Sequence, residues 1–179
     1  MKNIGLIALV VLGLSGCALA PSIPVDYWGP QAKIEDSYFS YSNTKADVFF
    51  LDKIDGQKIW DIRHTATQAS RGHGSAMTIR TIDRAVPAKQ TTFHIVGRTY
   101  YVALIDQMFR TTYEVSGDVE FAPLPNHTYT VRGHIFDNGS EYDNYLAVWI
   151  QDDQTGEVVG KKIVLEGADS LNFFQRLGG

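Results

Sequence analysis

Ser70-Arg71-Gly72-His73-Gly74-Ser75 is the stretch of this 179-residue chain whose residue types come closest to catalysis. Two glycines let the backbone turn tightly with φ > 0, and Arg71, His73 and Ser75 supply polar groups for anion binding or acid–base work. A hydrolase built here would need a nucleophile within reach of His73 and an acid to orient that base. The chain has no G-x-S-x-G nucleophile elbow, so the plainer expectation is a hairpin loop between strands at 58–62 and 77–82. A second chemical candidate is the oxygen-rich run Asp137-Asn138-Gly139-Ser140-Glu141-Tyr142-Asp143-Asn144. Calcium takes several carboxylates and carbonyls at close range, which makes Asp137, Glu141 and Asp143 the candidate ligands. The run lacks the D-x-[DN]-x-[DN]-G core of a calcium loop, and Asn-Gly is a hairpin signal in its own right. Asp152, Asp153 and Glu157 form a second acidic turn; calcium gains weight only if the two tips meet at one end of the fold.

The five histidines (His64, His73, His94, His127, His134) show no metal-binding spacing, and no cysteine is placed to complete a zinc site. No cofactor is expected. Trp60 and Trp149 read as core or sheet-face residues; a surface stripe of Trp and Tyr would instead suit sugar rings or a peptide. The net charge of −4 argues against nucleic acid as a partner, because phosphate binding needs clustered Lys and Arg.

The elements that must position these groups are strands. Tyr113, Val115, Gly117, Val119 and Phe121 alternate with polar residues, as do Tyr129, Val131, Gly133 and Ile135. Period two means a strand with one buried and one wet face. Further strands are expected at 47–51, 58–62, 77–82, 91–96, 99–105, 146–151 and 158–165, broken at Asp55-Gly56, Asn138-Gly139 and residues 152–156. Asp169 to Leu177 could form a short terminal helix. Eight or nine short strands without a long amphipathic helix predict an all-β fold, a single small β-sandwich of Ig-like or transthyretin-like type over residues 46–179. Residues 17–45, with Pro21, Pro24 and Pro30, read as a tether. Its aromatics (Tyr27-Trp28, Tyr38-Phe39, Tyr41) suggest that part of it lies on the domain as an edge strand or docks a partner. Pro87 to Gly97 and Pro123 to Gly133 share the pattern P-x-x-x-x-T-[FY]-x-[IV]-x-G, 36 residues apart (123 − 87). The pattern reads as recurring hairpin grammar, with gene duplication the alternative.

Residues 1–16 read as an address. A basic start at Lys2, an apolar run from Ile4 to Leu14 and small residues at the end make a secretory signal; the run is too short to span a bilayer, which takes ~20 residues. Leu14-Ser15-Gly16-Cys17 resembles the lipobox of bacterial lipoproteins. The resemblance implies cleavage before Cys17, lipid on that residue and, with Ala18 following it, residence on the periplasmic face of a Gram-negative outer membrane. Removing Lys2 from the 16 basic residues leaves 15 against 20 acidic, and the net charge moves from −4 to −5. With no polybasic patch for lipid headgroups, attachment would rest on the lipid. Cys17 is the only cysteine, so a lipidated domain has no disulfide. The proline-led turns into strands over residues 46–165 also resemble the β-sandwich domains of bacterial envelope lipoproteins, a resemblance that carries no activity with it.

Three functional classes fit. A non-catalytic envelope protein that binds another envelope protein demands no feature the sequence lacks. A periplasmic ligand-binding module for glycan, peptide or Ca²⁺ is the alternative, and a hydrolase using residues 70–75 is the third.

Overall fold

Alternation builds most of this chain, and a few short elements without it decide how the pieces join. The computed structural model describes residues 20–69, 77–136, 145–167, 170–172 and 175. Among them the order is β1 (Gln31–Glu35), β2 (Ser37–Ser40), β3 (Lys45–Ile54), β4 (Gln57–Lys58), α1 (Ile62–Ala69), β5 (Asp83–Pro87), β6 (Thr91–Tyr101), α2 (Leu104–Phe109), β7 (Glu114–Phe121), β8 (Thr128–Phe136), β9 (Tyr145–Asp152) and β10 (Val158–Glu166). Two sheets face each other. One runs β10-β9-β8-β1-β5; the other runs β2-β3-β6-β7, with β4 paired to β3. Every ladder is antiparallel except β1 with β8. The fold is the all-β sandwich that the alternation predicts.

The shared P-x-x-x-x-T-[FY]-x-[IV]-x-G pattern lies on β6 and β8, one strand from each sheet. Phe93 and Tyr129 both enter the core, with the Phe121 ring 5.0 Å from the first and 5.2 Å from the second. The two final glycines serve one ring. A Cβ on Gly97 would stand 3.0 Å from the Phe49 ring, and a Cβ on Gly133 would collide with that ring and stand 2.7 Å from the Ala147 carbonyl oxygen. Phe49, 4% exposed, therefore fills the space that both glycines leave. That shared ring is a packing reason for the glycine in both copies.

Residues 31–40 correct the expected tether. They supply β1 and β2, so the two sheets begin at Gln31 and not at residue 46. β1 is no edge strand: it lies between β8 and β5, with Ala32 and Ile34 buried in the core. The chain then changes sheets at Asp36 and continues as β2, an edge strand on β3. A strand that crosses between sheets leaves polar backbone at the corner, which must find partners. Asp36 supplies them. Its N–H donates to the Ile82 carbonyl (3.0 Å), its Oδ1 accepts the Leu51 N–H (3.1 Å), and both carboxylate oxygens take the Arg84 fork at 2.7 and 2.8 Å.

Three further strands depart from expectation. At 58–62 the strand stops at Lys58 and α1 begins at Ile62, because the Asp61 carboxylate caps the Arg63 N–H (2.9 Å). Residues 77–82 are not a strand; pairing with β1 starts one residue later, at Asp83 opposite Glu35. The pieces expected at 91–96 and 99–105 are one strand as far as Tyr101, since Gly97 makes room for Phe49 instead of breaking β6, and residues from Leu104 turn into α2. The terminal segment 169–177 lies largely outside the described residues.

Candidate interaction surface

The outer faces of the two sheets differ in cover. On β3 and β6, Val48, Phe50 and Val96 point away from the sandwich core and are buried by Ile62 of α1, with Ile79 and Tyr100 alongside. Ions close the rim of this patch. Arg63 lies over the Phe50 ring (4.7 Å) and reaches Asp61 Oδ2 at 2.8 Å and Asp52 Oδ1 at 3.3 Å. Arg98 pairs with Glu114 at 3.2 Å. Burial opposes the Asp61 charge, but the Arg63 guanidinium and backbone N–H overcome it and hold the carboxyl below its usual range. At Asp36 burial wins, and that carboxyl is pushed up despite Arg84.

The outer face of β8, β9 and β10 has no such cover among the described residues. Arg132 stands opposite Trp149, His134 opposite Ala147 and Phe136 opposite Tyr145. The Lys162 ammonium sits over Trp149 at 4.4 Å and over Tyr145 at 5.6 Å. His134 stacks on Phe136 (5.8 Å) and lies 6.2 Å from Tyr145.

This face runs into the edge strand β2. Ser37 Oγ donates to the Val131 carbonyl at 2.5 Å, and Tyr41 Oη donates to Asp47 Oδ2 at 2.8 Å with the Ile135 carbonyl at 3.4 Å. Side chains of β2 and of Tyr41 just beyond it thus cap carbonyls of β8 where β1 has left its sheet. Burial, reinforced by Asp47, holds the Tyr41 phenol well above its ordinary range, so it stays a donor. Beside it, Phe39 packs edge-on at 4.9 Å, and Lys45 lies over the Tyr41 ring at 4.9 Å. Phe39 is 59% exposed, Tyr41 51% and Phe136 47%. A seam of rings with cations above them offers apolar area at low conformational cost, as protein-binding surfaces do.

The residues singled out by sequence fall elsewhere. Cys17, the loop Ser70, Arg71, His73 and Ser75, and the candidate ligands Asp137, Glu141 and Asp143 lie outside the described residues. Of the two acidic turns, only the second, residues 152–157, is among the described residues. Asp152 is 3% exposed and organises its turn: Oδ1 accepts the N–H groups of Gln154 and Thr155, and Oδ2 pairs with His127 Nδ1 at 2.7 Å. Burial works against that charge, while His127 and the turn N–H groups bring the pKa below its ordinary value. Asp153 is taken by Thr130 (2.7 Å) and Arg132 (3.4 Å). Among the described residues no group of three His, Cys, Asp or Glu could hold a metal.

His94 pairs with Asp118 at 2.7 Å, and among the described residues neither His94 nor His127 bonds a serine or threonine hydroxyl. His64 stacks against Trp60 (4.5 Å); its buried Nδ1 is 3.3 Å from Asp61 Oδ1 yet out of hydrogen-bond alignment. Sequence placed Tyr38-Phe39 and Tyr41 on an edge strand or a partner-docking segment, but nothing in it showed that they adjoin β8 and Phe136.

Compared with family models, curated proteins and solved structures, the chain matches none. The surface must therefore be read from its own geometry.

Proposed function

We propose that this chain is a lipid-anchored, non-catalytic protein-interaction module of the cell envelope. The lipid sits on Cys17 at the periplasmic face of a Gram-negative outer membrane, and the β-sandwich binds another envelope protein. One observation carries the reading: exposed rings on edge strand β2 continue into an open sheet face. Free strand edges tend to acquire partners, and aromatic anchors dominate protein interfaces. Phe39, Tyr41 and Phe136 are the anchors, and Lys45 and Lys162 are their charged neighbours.

The test is in-cell photocrosslinking from position 39, followed by mass spectrometry. One dominant protein partner in near-equal amount supports the reading; a probe at 39 that crosslinks nothing above a probe placed at Lys161 overturns it. Cys17→Ser tests the anchor separately, since the variant should leave the membrane fraction. A glycan reading draws support from Tyr145 and Trp149 on one strand face. Lys162 lies on the Trp149 ring where a sugar would stack, so that reading requires Lys162 to swing away. Glycan titration followed by Trp fluorescence distinguishes the two.

A further inference from the structure

The chain from Ala20 to β1 does not hang free of the domain. The Ala20 N–H donates to the Lys58 carbonyl at 2.8 Å and Ala20 forms a parallel bridge to Ile59. Ala20, Pro21 and Ser22 then roof a cavity of about 170 Å³ floored by Ile59, Trp60 and Arg84. Farther on, Tyr27 N–H closes a turn on the Pro24 carbonyl (3.0 Å), Tyr27 Oη donates to the Pro30 carbonyl (2.7 Å), and Lys89 lies over the Tyr27 ring at 5.5 Å. The Ala88 N–H takes the Pro30 carbonyl at 2.9 Å. The first point lies beside Ile59, Ile82 and Arg84 and the second beside Ala88 and Lys89, so the strap follows edge strand β5 toward the end of the sandwich where the Asp55 N–H donates to the Thr92 carbonyl (2.8 Å).

From this fastened strap two apolar side chains project into solvent. Val25 is 91% exposed and Trp28 93%, more than any other large apolar residue described. Ala20 is the third residue after Cys17. At ~3.6 Å per residue at most, a lipidated cysteine would lie within about 11 Å of Ala20. The domain then cannot stand off from the bilayer, and the end bearing the strap must rest near the headgroups. Tryptophan is suited to that layer, where its ring is buried and its N–H stays wet.

We propose that residues 20–30 are a membrane-contact strap whose partner is the lipid surface, with Val25 and Trp28 as its wedge. The proposal rests on the lipid-anchor reading. Val25 and Trp28 carry no charge, so the contact is apolar. It should persist in zwitterionic lipid and at high salt, because only charge-driven contacts are screened. A consequence is orientation: α2, at the far end of the long strand β6, points away from the membrane.

The experiment uses full-length lipidated protein in phosphatidylcholine vesicles containing nitroxide-labelled lipid. Because lipid blocks Cys17, Val25→Cys gives a unique thiol for a polarity-sensitive fluorophore, and Ile105→Cys on α2 (61% exposed) gives the comparison site. Quenching at position 25, roughly twofold or more, unchanged by salt, with none at position 105, is the expected result. Adding Ala20→Pro, which removes the N–H bound to Lys58, should reduce that quenching while the protein still floats with the vesicles. Lipidated protein that floats without quenching at 25 overturns the strap and leaves the anchor standing. Protein that neither floats nor carries a lipid mass overturns the anchor, and the strap with it.

Discussion

The two sheets share one core but treat their outer faces oppositely. Behind β3 and β6, Val48, Phe50 and Val96 make a face too apolar for water, and α1 with its ion-paired rim covers it. Behind β8, β9 and β10, Thr130, Arg132, His134 and Gln151 keep the face wettable while Trp149, Tyr145 and Phe136 lie among them. The first arrangement fixes structure, because every charge in it is directed at a neighbour. The second leaves ring faces and cations for something else to meet. Cover, more than residue type, separates a structural cluster from a candidate site here: both regions contain aromatics under cations, Arg63 over Phe50 in one and Lys162 over Trp149 in the other.

If that division is right, the covered face should lose stability on mutation and the open face should lose binding. The largest effect is expected from Phe50→Ala. The ring is fully buried, and removing it should destabilise the domain by about 4 kcal/mol in urea unfolding. A change below about 1 kcal/mol would mean that α1 does not pack there in solution. Arg63→Ala comes next, at about 3 kcal/mol, since it strands the Asp61 charge in a site with no solvent exposure. Unfolding midpoints that match wild type would show that water reaches Asp61.

On the open face, Phe39→Ala combined with Tyr41→Phe should weaken capture of the crosslinked partner by about tenfold, or ~1.4 kcal/mol. Stability should fall by only about 1–2 kcal/mol, because Phe39 is mostly exposed and the main loss is the Tyr41 hydroxyl that donates to buried Asp47. A variant that captures its partner normally would remove the seam from the interface. One that unfolds would erase the contrast between the two faces.

Sequence made one half of this contrast far more legible than the other. Strands β7 and β8 each have one wet face, so alternation located them within a residue or two. β3 hid its nature better, since Val48, Phe49, Phe50 and Leu51 are all buried and show no period. The covering helix is eight residues long, with Ile62 and Ala66 as its buried positions, too few to establish a 3.6 period. β1 offers only Ala32 and Ile34 to the core and follows three prolines, hence its reading as linker. Asp36 and Arg84 are 48 residues apart, and nothing local announces that they meet. The seam was visible only as aromatics of an expected edge strand or docking segment, because whether they join a second sheet face depends on which strands become neighbours.

The smallest effect expected is also the most specific to the covered face. Asp61→Asn keeps the cap on the Arg63 N–H, since asparagine caps as well as aspartate, and removes only the charge. At neutral pH it should destabilise by about 1 kcal/mol through the weakened Arg63 contact. The pH dependence has a definite sign. Asp61 is held below its ordinary value of 3.8 in the folded state. Its ionisation therefore contributes stability that is fully present above that value and is lost as pH falls through the folded pKa. Wild type and variant should differ most near pH 7 and converge on acidification below about pH 4. Asp36 cannot mimic this, because burial raises its pKa and its ionisation works against the fold. A gap between wild type and Asp61→Asn that stays constant from pH 7 to pH 3 would mean that the lost interaction is a hydrogen bond or packing contact. The rim over Phe50 would then be held by shape and not by charge.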